Sequence, residues 1–176
     1  MAQLNIASYI NEPPFPRNYG SEFLLLEKGK GSTLYDTMGK AYLDFASGIA
    51  VNSLGYGRKD LAKIAARQMK KLIHVSNLYA TEPAVSLAHT IVQDINNAIP
   101  GPNYQAVHFG NSGTEAVEGA LKYARRYGHN RGKGSGFIAF TGSFHGRSMG
   151  ALSVTSTAKY RDPFAPLIPG VQHLPY

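Results

Sequence analysis

The sequence contains no cysteine and no tryptophan. Without cysteine there can be no disulfide, thiolate nucleophile or cysteine-based zinc site, and no metal is expected. Charge is sparse as well. Charged residues make up 16% against 43% apolar, the reverse of a disordered tail. No apolar run approaches the ~20 residues a membrane-spanning helix needs, so no membrane partner is expected. Residues 1–11 carry no basic residue ahead of an apolar core. No secretory leader is read there, and the expected compartment is the cytoplasm.

What is present fits one domain or one large fragment of a domain, at 176 residues. The net charge of +7 is spread along the chain in Lys28, Lys30, Arg58, Lys59, Arg67 and Arg131. It concentrates only at Lys70-Lys71 and Arg125-Arg126, both on helical patterns. These read as solvated faces, and no nucleic-acid partner is expected. A site for anionic small molecules would use part of the charge.

Residues 1–21 are proline-rich in the middle and read as an extended arm. Residues 23–27, 33–35 and 41–45 have strand character, and the turn residues Asp36 and Gly39 predict a hairpin. A Gly- and Ser-rich loop spans residues 47–57. The period then changes. Leu61, Ile64, Ala65, Met69, Leu72 and Ile73 mark an amphipathic helix that begins near Asp60. Thr81-Glu82-Pro83 opens a second helix with Thr81 as cap, carried by Val85, Ala88, Ile91, Val92 and Ile95. A strand is expected at residues 106–109, a helix through Ala116, Val117, Ala120, Leu121 and Ala124, and a strand at residues 137–140. That order is the βαβ unit of a parallel sheet. Residues 1–57 are therefore read as an arm and small-domain segment, and residues 58–176 as the first part of a larger α/β domain.

Two segments carry chemistry. Ser112 and Glu115 have the S-x-x-E spacing of a capping box, which starts a helix at Ser112. Gly113 leaves the backbone open to a ligand, and Thr114 offers a hydroxyl beside free N–H groups. Such a turn can hold a phosphate, and the motif fits an ordinary capped helix equally well. The second segment, Ser143-Phe144-His145-Gly146-Arg147, begins where the next strand ends, the position at which parallel sheets bind ligands. Phe144 can stack on a planar ring, and Arg147 can clamp a carboxylate. His145 reads as a hydrogen-bonded loop histidine without a catalytic role.

The string Phe109-Gly110-Asn111-Ser112-Gly113-Thr114-Glu115-Ala116 resembles the phosphate-binding stretch of class III pyridoxal-phosphate aminotransferases. Ser143-Phe144-His145-Gly146-Arg147 resembles their ring-stacking segment. Tyr42-Leu43-Asp44-Phe45-Ala46-Ser47-Gly48-Ile49-Ala50-Val51-Asn52 is similar to their N-terminal signature. Lys159-Tyr160-Arg161 with Pro163-Phe164-Ala165-Pro166-Leu167 resembles the stretch C-terminal to their ring-stacking segment. The resemblance implies an α/β fold, the N-terminal part of a pyridoxal-phosphate-dependent transferase of fold type I, similar to aspartate aminotransferase. It implies pyridoxal 5'-phosphate as cofactor, with Ser112, Gly113 and Thr114 at the phosphate and Phe144 on the ring. It implies Arg147 at the α-carboxylate of the amino donor, and Ile49 and the Ser76-Asn77 region near the substrate entrance. Phe-His-Gly-Arg and Ser-Gly-Ile-Ala-Val-Asn favour N-acetylornithine as donor and 2-oxoglutarate as acceptor, as in arginine biosynthesis, with a homodimer as the complete enzyme. Ornithine, succinylornithine and 4-aminobutyrate are the alternative donors.

There are departures from the family pattern. Gly57-Arg58 stands where the family has His-Pro, and Ser148 where it often has Thr. Family members are much longer, and their Schiff-base lysine lies beyond the segments matched here. None of the ten lysines resembles it in context. No catalytic residue is therefore expected in this chain, which reads as an N-terminal portion, inactive when alone.

Overall fold

The computed structural model describes Pro16 and residues 18–20 and 23–176. Most of the expected N-terminal arm lies outside these residues. The chain divides into two compact units, Met1–Tyr79 and Ala80–Tyr176.

The first unit is built on an antiparallel sheet in the order β1-β2-β3, with β1 at Leu26–Lys30, β2 at Thr33–Asp36 and β3 at Ala41–Leu43. The expected hairpin at Asp36 is present. The Asp36 carboxylate accepts from the amides of Met38 and Lys40 and from the Tyr42 hydroxyl, each at 2.9 Å. Burial pushes its pKa up, but these donors outweigh burial and hold it below the usual carboxylate value. The first strand sits later than the apolar run 23–27 predicts. Its register is set by the Lys30↔Thr33 pair across a tight turn at Gly31, φ 58°, so pairing with β2 overrides local hydropathy. Likewise β3 ends at Leu43, short of the expected residue 45.

The expected loop 47–57 contains a turn, α1 (Ser47–Ala50), that periodicity does not foretell. Ser47, Gly48, Ile49 and Ala50 have φ between 48° and 64°, a left-handed turn. For L-residues this conformation costs roughly 1–2 kcal/mol each, and a β-branched residue such as Ile49 is unusual there. Asp44 holds the entry: its Oδ1 accepts from the amides of Ala46 and Ser47, and its Oδ2 from the Tyr56 hydroxyl at 2.7 Å. Tyr56 also pairs its backbone with Gly31. A side chain at Gly29 would overlap its ring. The amphipathic helix α2 comes next at Lys59–Lys71, opened by an Arg58–Asp60 ion pair at 2.6 Å.

The second unit begins with α3 (Glu82–Ala98). Thr81 occupies the expected cap position, yet its side chain makes no capping bond; Pro83 in the first turn and Glu82 mark the start instead. In the last turn of α3, Asn96 grips the backbone of Tyr104 with two hydrogen bonds, turning the chain toward α4 (Gly113–Asn130). The strand expected at residues 106–109 does not form. No strand among the described residues pairs with this segment. It runs along α4, where the His108 ring meets the edge of Tyr123 and packs on Gly119.

The parallel pair is instead β4 (Phe137–Phe140) with β5 (Val171–Leu174), in register Phe137↔Val171 to Phe140↔Leu174. The expected βαβ pattern is therefore shifted one unit along the chain. Its crossover carries α5 (Met149–Val154), α6 (Ala158–Arg161) and a 3-10 turn at Asp162–Phe164. The α5 helix is the core of the unit. Gly150 through Val154 are buried, Thr155 is fully buried, and α5 contacts α4, β4, β5 and α6. The sequence pattern does not reveal α5, because six residues are too few to show a period. Among the described residues no helix is long and apolar enough to cross a membrane.

Leu152 is 2% exposed in the middle of α5. Replacing it with Ala is expected to destabilise the second unit by about 2–5 kcal/mol, through lost burial and an unfilled cavity. A loss of less than about 1 kcal/mol in denaturant unfolding, at unchanged m-value, would show that α5 is not the core.

Candidate functional site: an anion cup at the start of α4

The site lies where α4 begins, and its sequence elements are all in the second unit. Ser112 has extended backbone (φ −153°, ψ 162°) and its Oγ accepts from the Glu115 amide at 3.3 Å. The Glu115 carboxylate reaches back to the amide of Asn111, one residue before the position an ideal capping box would use. The cap thus uses the amides of Asn111 and Glu115. Those of Gly113 and Thr114 have no partner among the described residues. Nothing stands within 4 Å of where a Cβ of Gly113 would sit. Two adjacent open donors at the positive end of an 18-residue helix suit a phosphate.

The loop 141–148 is brought onto this cup by a glycine. Gly146 is buried at φ 135°, and a Cβ there would overlap the Thr114 side chain. The same loop is fixed from below by buried Thr155, whose Oγ1 accepts from the His145 amide at 2.9 Å. That bond uses only the backbone of His145, in keeping with the loop role the sequence suggests.

Beyond Gly146 the contacts become a hydroxyl chain. Ser148 Oγ lies 2.8 Å from Thr114 Oγ1 and donates to Glu118 Oε1 at 2.6 Å. The same carboxylate oxygen accepts from the amides of Gly150, at 2.8 Å, and Ala151, at 3.1 Å. Glu118 therefore caps α5 from α4. A side chain at Gly150 would strike the carboxylate and push Glu118 off the start of α5. The Ser148 hydroxyl lowers the Glu118 pKa most; burial opposes it, and the two amides and Lys122 add to the lowering. Sequence reasoning missed Glu118 and Ser148. The available signal was spacing: Glu118 lies four residues after Thr114, one turn along the same face.

Phe144 and Arg147 face solvent. The Phe144 ring is 60% exposed and meets Tyr160 edge-on, with centroids 6.5 Å apart. The Arg147 guanidinium lies 3.8 Å from the Tyr160 ring centroid and 5.5 Å from that of Phe144. No carboxylate among the described residues pairs with it. An exposed aromatic face beside an unpaired guanidinium suits a flat, anionic ligand. Tyr160, part of the family-like string Lys159-Tyr160-Arg161 but given no role there, is a further residue of this surface. Ile49 is 90% exposed at the left-handed turn of the first unit. Ser76 there also has positive φ, at 59°.

This donor set fits pyridoxal phosphate. Gly113 and Thr114 would hold the phosphate through their amides, with Ser112 ordering the turn, and Phe144 would lie against the ring.

Residues 15–176 match the family model described as aminotransferase class-III, and the chain belongs to this family. Its fold is the N-terminal part of a fold type I transferase, as expected. It is similar to a probable mitochondrial acetylornithine aminotransferase of Schizosaccharomyces pombe, 46% identical over 85% of this chain and 34% of that protein. It is also similar to the acetylornithine aminotransferase of Aquifex aeolicus, 45% identical over 89% of this chain and 40% of the relative. Among solved structures, a Bacillus anthracis aminotransferase superposes with a TM-score of 0.87 at 28% identity, over 97% of this chain and 38% of that one. An (S)-enantioselective omega-transaminase from Thermomicrobium roseum gives 0.84 at 30% identity, over 97% and 39%. The chain thus spans between a third and two-fifths of the length of these relatives.

Two outcomes test the geometry. Gly146→Ala is expected to cost roughly 1–3 kcal/mol in stability, from backbone strain and overlap with Thr114, and to weaken pyridoxal-phosphate binding in the full-length protein. Wild-type cofactor affinity in a titration of this variant would separate Gly146 from the cup. The lowered Glu118 pKa sets a pH dependence. Its ionised form is favoured on folding, so its contribution is complete above the ordinary carboxyl value of 4.5 and is lost as pH falls through the lower folded-state value. The stability gap between the parent and Glu118→Gln should accordingly shrink from pH 7 to pH 3. A constant gap would mean that the charge contributes nothing.

Proposed function

We propose that the protein carrying this chain is a pyridoxal-phosphate-dependent aminotransferase that moves the δ-amino group of N-acetylornithine to 2-oxoglutarate, the reaction used in arginine biosynthesis. The observation that carries the reading is the unpaired Arg147 guanidinium beside the open Phe144 ring, on a loop seated against the two free amides of Gly113 and Thr114. Phosphate, planar ring and carboxylate each have a matching group. Supporting the choice of donor are the names of the relatives, which at 43–46% identity are acetylornithine aminotransferases. When bound, pyridoxal phosphate supplies the electron sink that transamination requires.

The chain's own part is binding and orientation. The α4 amides anchor the phosphate, Phe144 fixes the plane of the ring, and Arg147 takes the donor's α-carboxylate. That carboxylate is remote from the reacting δ-amine and needs an anchor of its own. A guanidinium provides it through two parallel hydrogen bonds, which the point charge of a lysine does not. On the family likeness alone, Ile49 is proposed as a further substrate-binding residue. The working enzyme is proposed to be a homodimer.

The test is turnover. The full-length protein with pyridoxal phosphate should convert N-acetylornithine and 2-oxoglutarate faster than it converts ornithine, succinylornithine or 4-aminobutyrate. Arg147→Lys should raise KM for the donor about tenfold or more while cofactor affinity stays at the parent value. Preference for a donor without an α-carboxylate, or an unchanged KM in the variant, would remove Arg147 from the reading.

A further inference from the structure

The hydroxyl chain at the cup has a direction, and the direction decides what the phosphate meets. Ser148 has one hydroxyl proton. Glu118, held ionised, only accepts, so at 2.6 Å the Ser148 proton lies on the bond to Glu118 Oε1. The 2.8 Å contact between Ser148 and Thr114 then needs a proton from Thr114. The Ser148 amide, 3.5 Å away, faces the Thr114 oxygen as a donor and does not release that proton. Thr114 Oγ1 is therefore left with lone pairs only. A phosphate dianion is all acceptor and gains nothing from an oxygen whose proton is committed elsewhere.

We propose that Glu118 is a positioning residue of the cup: by drawing the Ser148 proton it commits the Thr114 proton to Ser148, and so leaves the anion to the backbone amides of Gly113 and Thr114. The inference rests on the reading of this turn as the cofactor's phosphate site. Glu118 touches neither cofactor nor substrate in this proposal. It acts through two hydroxyls, and the amides of Gly150 and Ala151 on the same oxygen keep it in place. Removing either Glu118 or Ser148 frees the Thr114 proton. The Thr114 hydroxyl can then donate to the phosphate, and the cup changes from two donors to three.

The experiment is a pair of double-mutant cycles in the full-length protein, titrated with pyridoxal 5'-phosphate and separately with pyridoxal, which lacks the phosphate. Thr114→Val is measured in the parent, in Ser148→Ala and in Glu118→Ala. The expected result is that Thr114→Val costs roughly tenfold more pyridoxal-phosphate affinity in the Ser148→Ala background than in the parent, as a hydrogen bond to a charged group should. Thr114→Ser should restore that affinity, and pyridoxal should show no such coupling. Glu118→Ala should behave as Ser148→Ala does. If its loss unfolds α5, the Ser148→Ala cycle decides alone. Equal costs of Thr114→Val in both backgrounds, or equal coupling with pyridoxal, would overturn the proposal, because a merely structural role predicts either. Failure of the parent to bind pyridoxal phosphate at all would instead overturn the cofactor reading beneath it.

Discussion

One carboxylate oxygen joins the second unit together. Glu118 Oε1 receives a serine hydroxyl and two backbone amides, all from the start of α5, while its own backbone belongs to α4. A six-residue helix cannot stand alone, because nucleation costs more than so few hydrogen bonds return. The α5 helix persists because most of it is buried and because its first amides have an ionic acceptor. The loop carrying Phe144 and Arg147 enters α5 directly, so this capping contact, with the Thr155 bond to the His145 amide and the close seat of Gly146 on Thr114, sets where that loop lies. Lys122, one turn further along α4, adds a cation near the same carboxylate.

The two units handle strain in different ways. In the first, Ser47, Ile49 and Ala50 adopt a backbone conformation that L-residues avoid, and Asp44 and Tyr56 hold the segment against it. Hydrogen bonding to Tyr56 and to the turn amides keeps the Asp44 pKa low against mild desolvation, which places this carboxylate firmly in its ionised form. Among the described residues the second unit has no non-glycine residue at positive φ, and its tight places, like that at Gly29 in the first, are absent side chains. Gly119, Gly146 and Gly150 each let a neighbour approach closer than any Cβ allows.

Much of this was legible in the chain itself. The capping box at Ser112, the Asp36 hairpin and the long helices come from signals that are local and strong, whereas the fold type comes from the family likeness. The misplacements have a common cause. A strand is completed by its partner, and neither residues 23–27 nor residues 106–109 announce whether a partner will be in register. The first run yields to pairing with β2, and the second finds α4 beside it in place of a strand. The α5 helix and β5 are too short to print a period. Glu118 is hard to read for another reason: its spacing from Thr114 puts it on the same face of α4, but its role depends on Ser148 and Gly150, some thirty residues away. The roles of Phe144 and Arg147 came from family likeness more than from residue type, since an aromatic and an arginine in a loop are ordinary on their own.

The arrangement around Arg147 separates two kinds of change. Its neighbours Gly146 and Ser148 are locked inside, the one against Thr114 and the other between Thr114 and Glu118, while the arginine itself lies outside on an aromatic face. Exchanging the side chain at position 147 disturbs no buried contact, whereas exchanging either neighbour does. A change at position 147 can therefore alter the charge and shape of this outer surface at small cost to folding, with the contacts among Thr114, Gly146, Ser148 and Glu118 left intact beneath it.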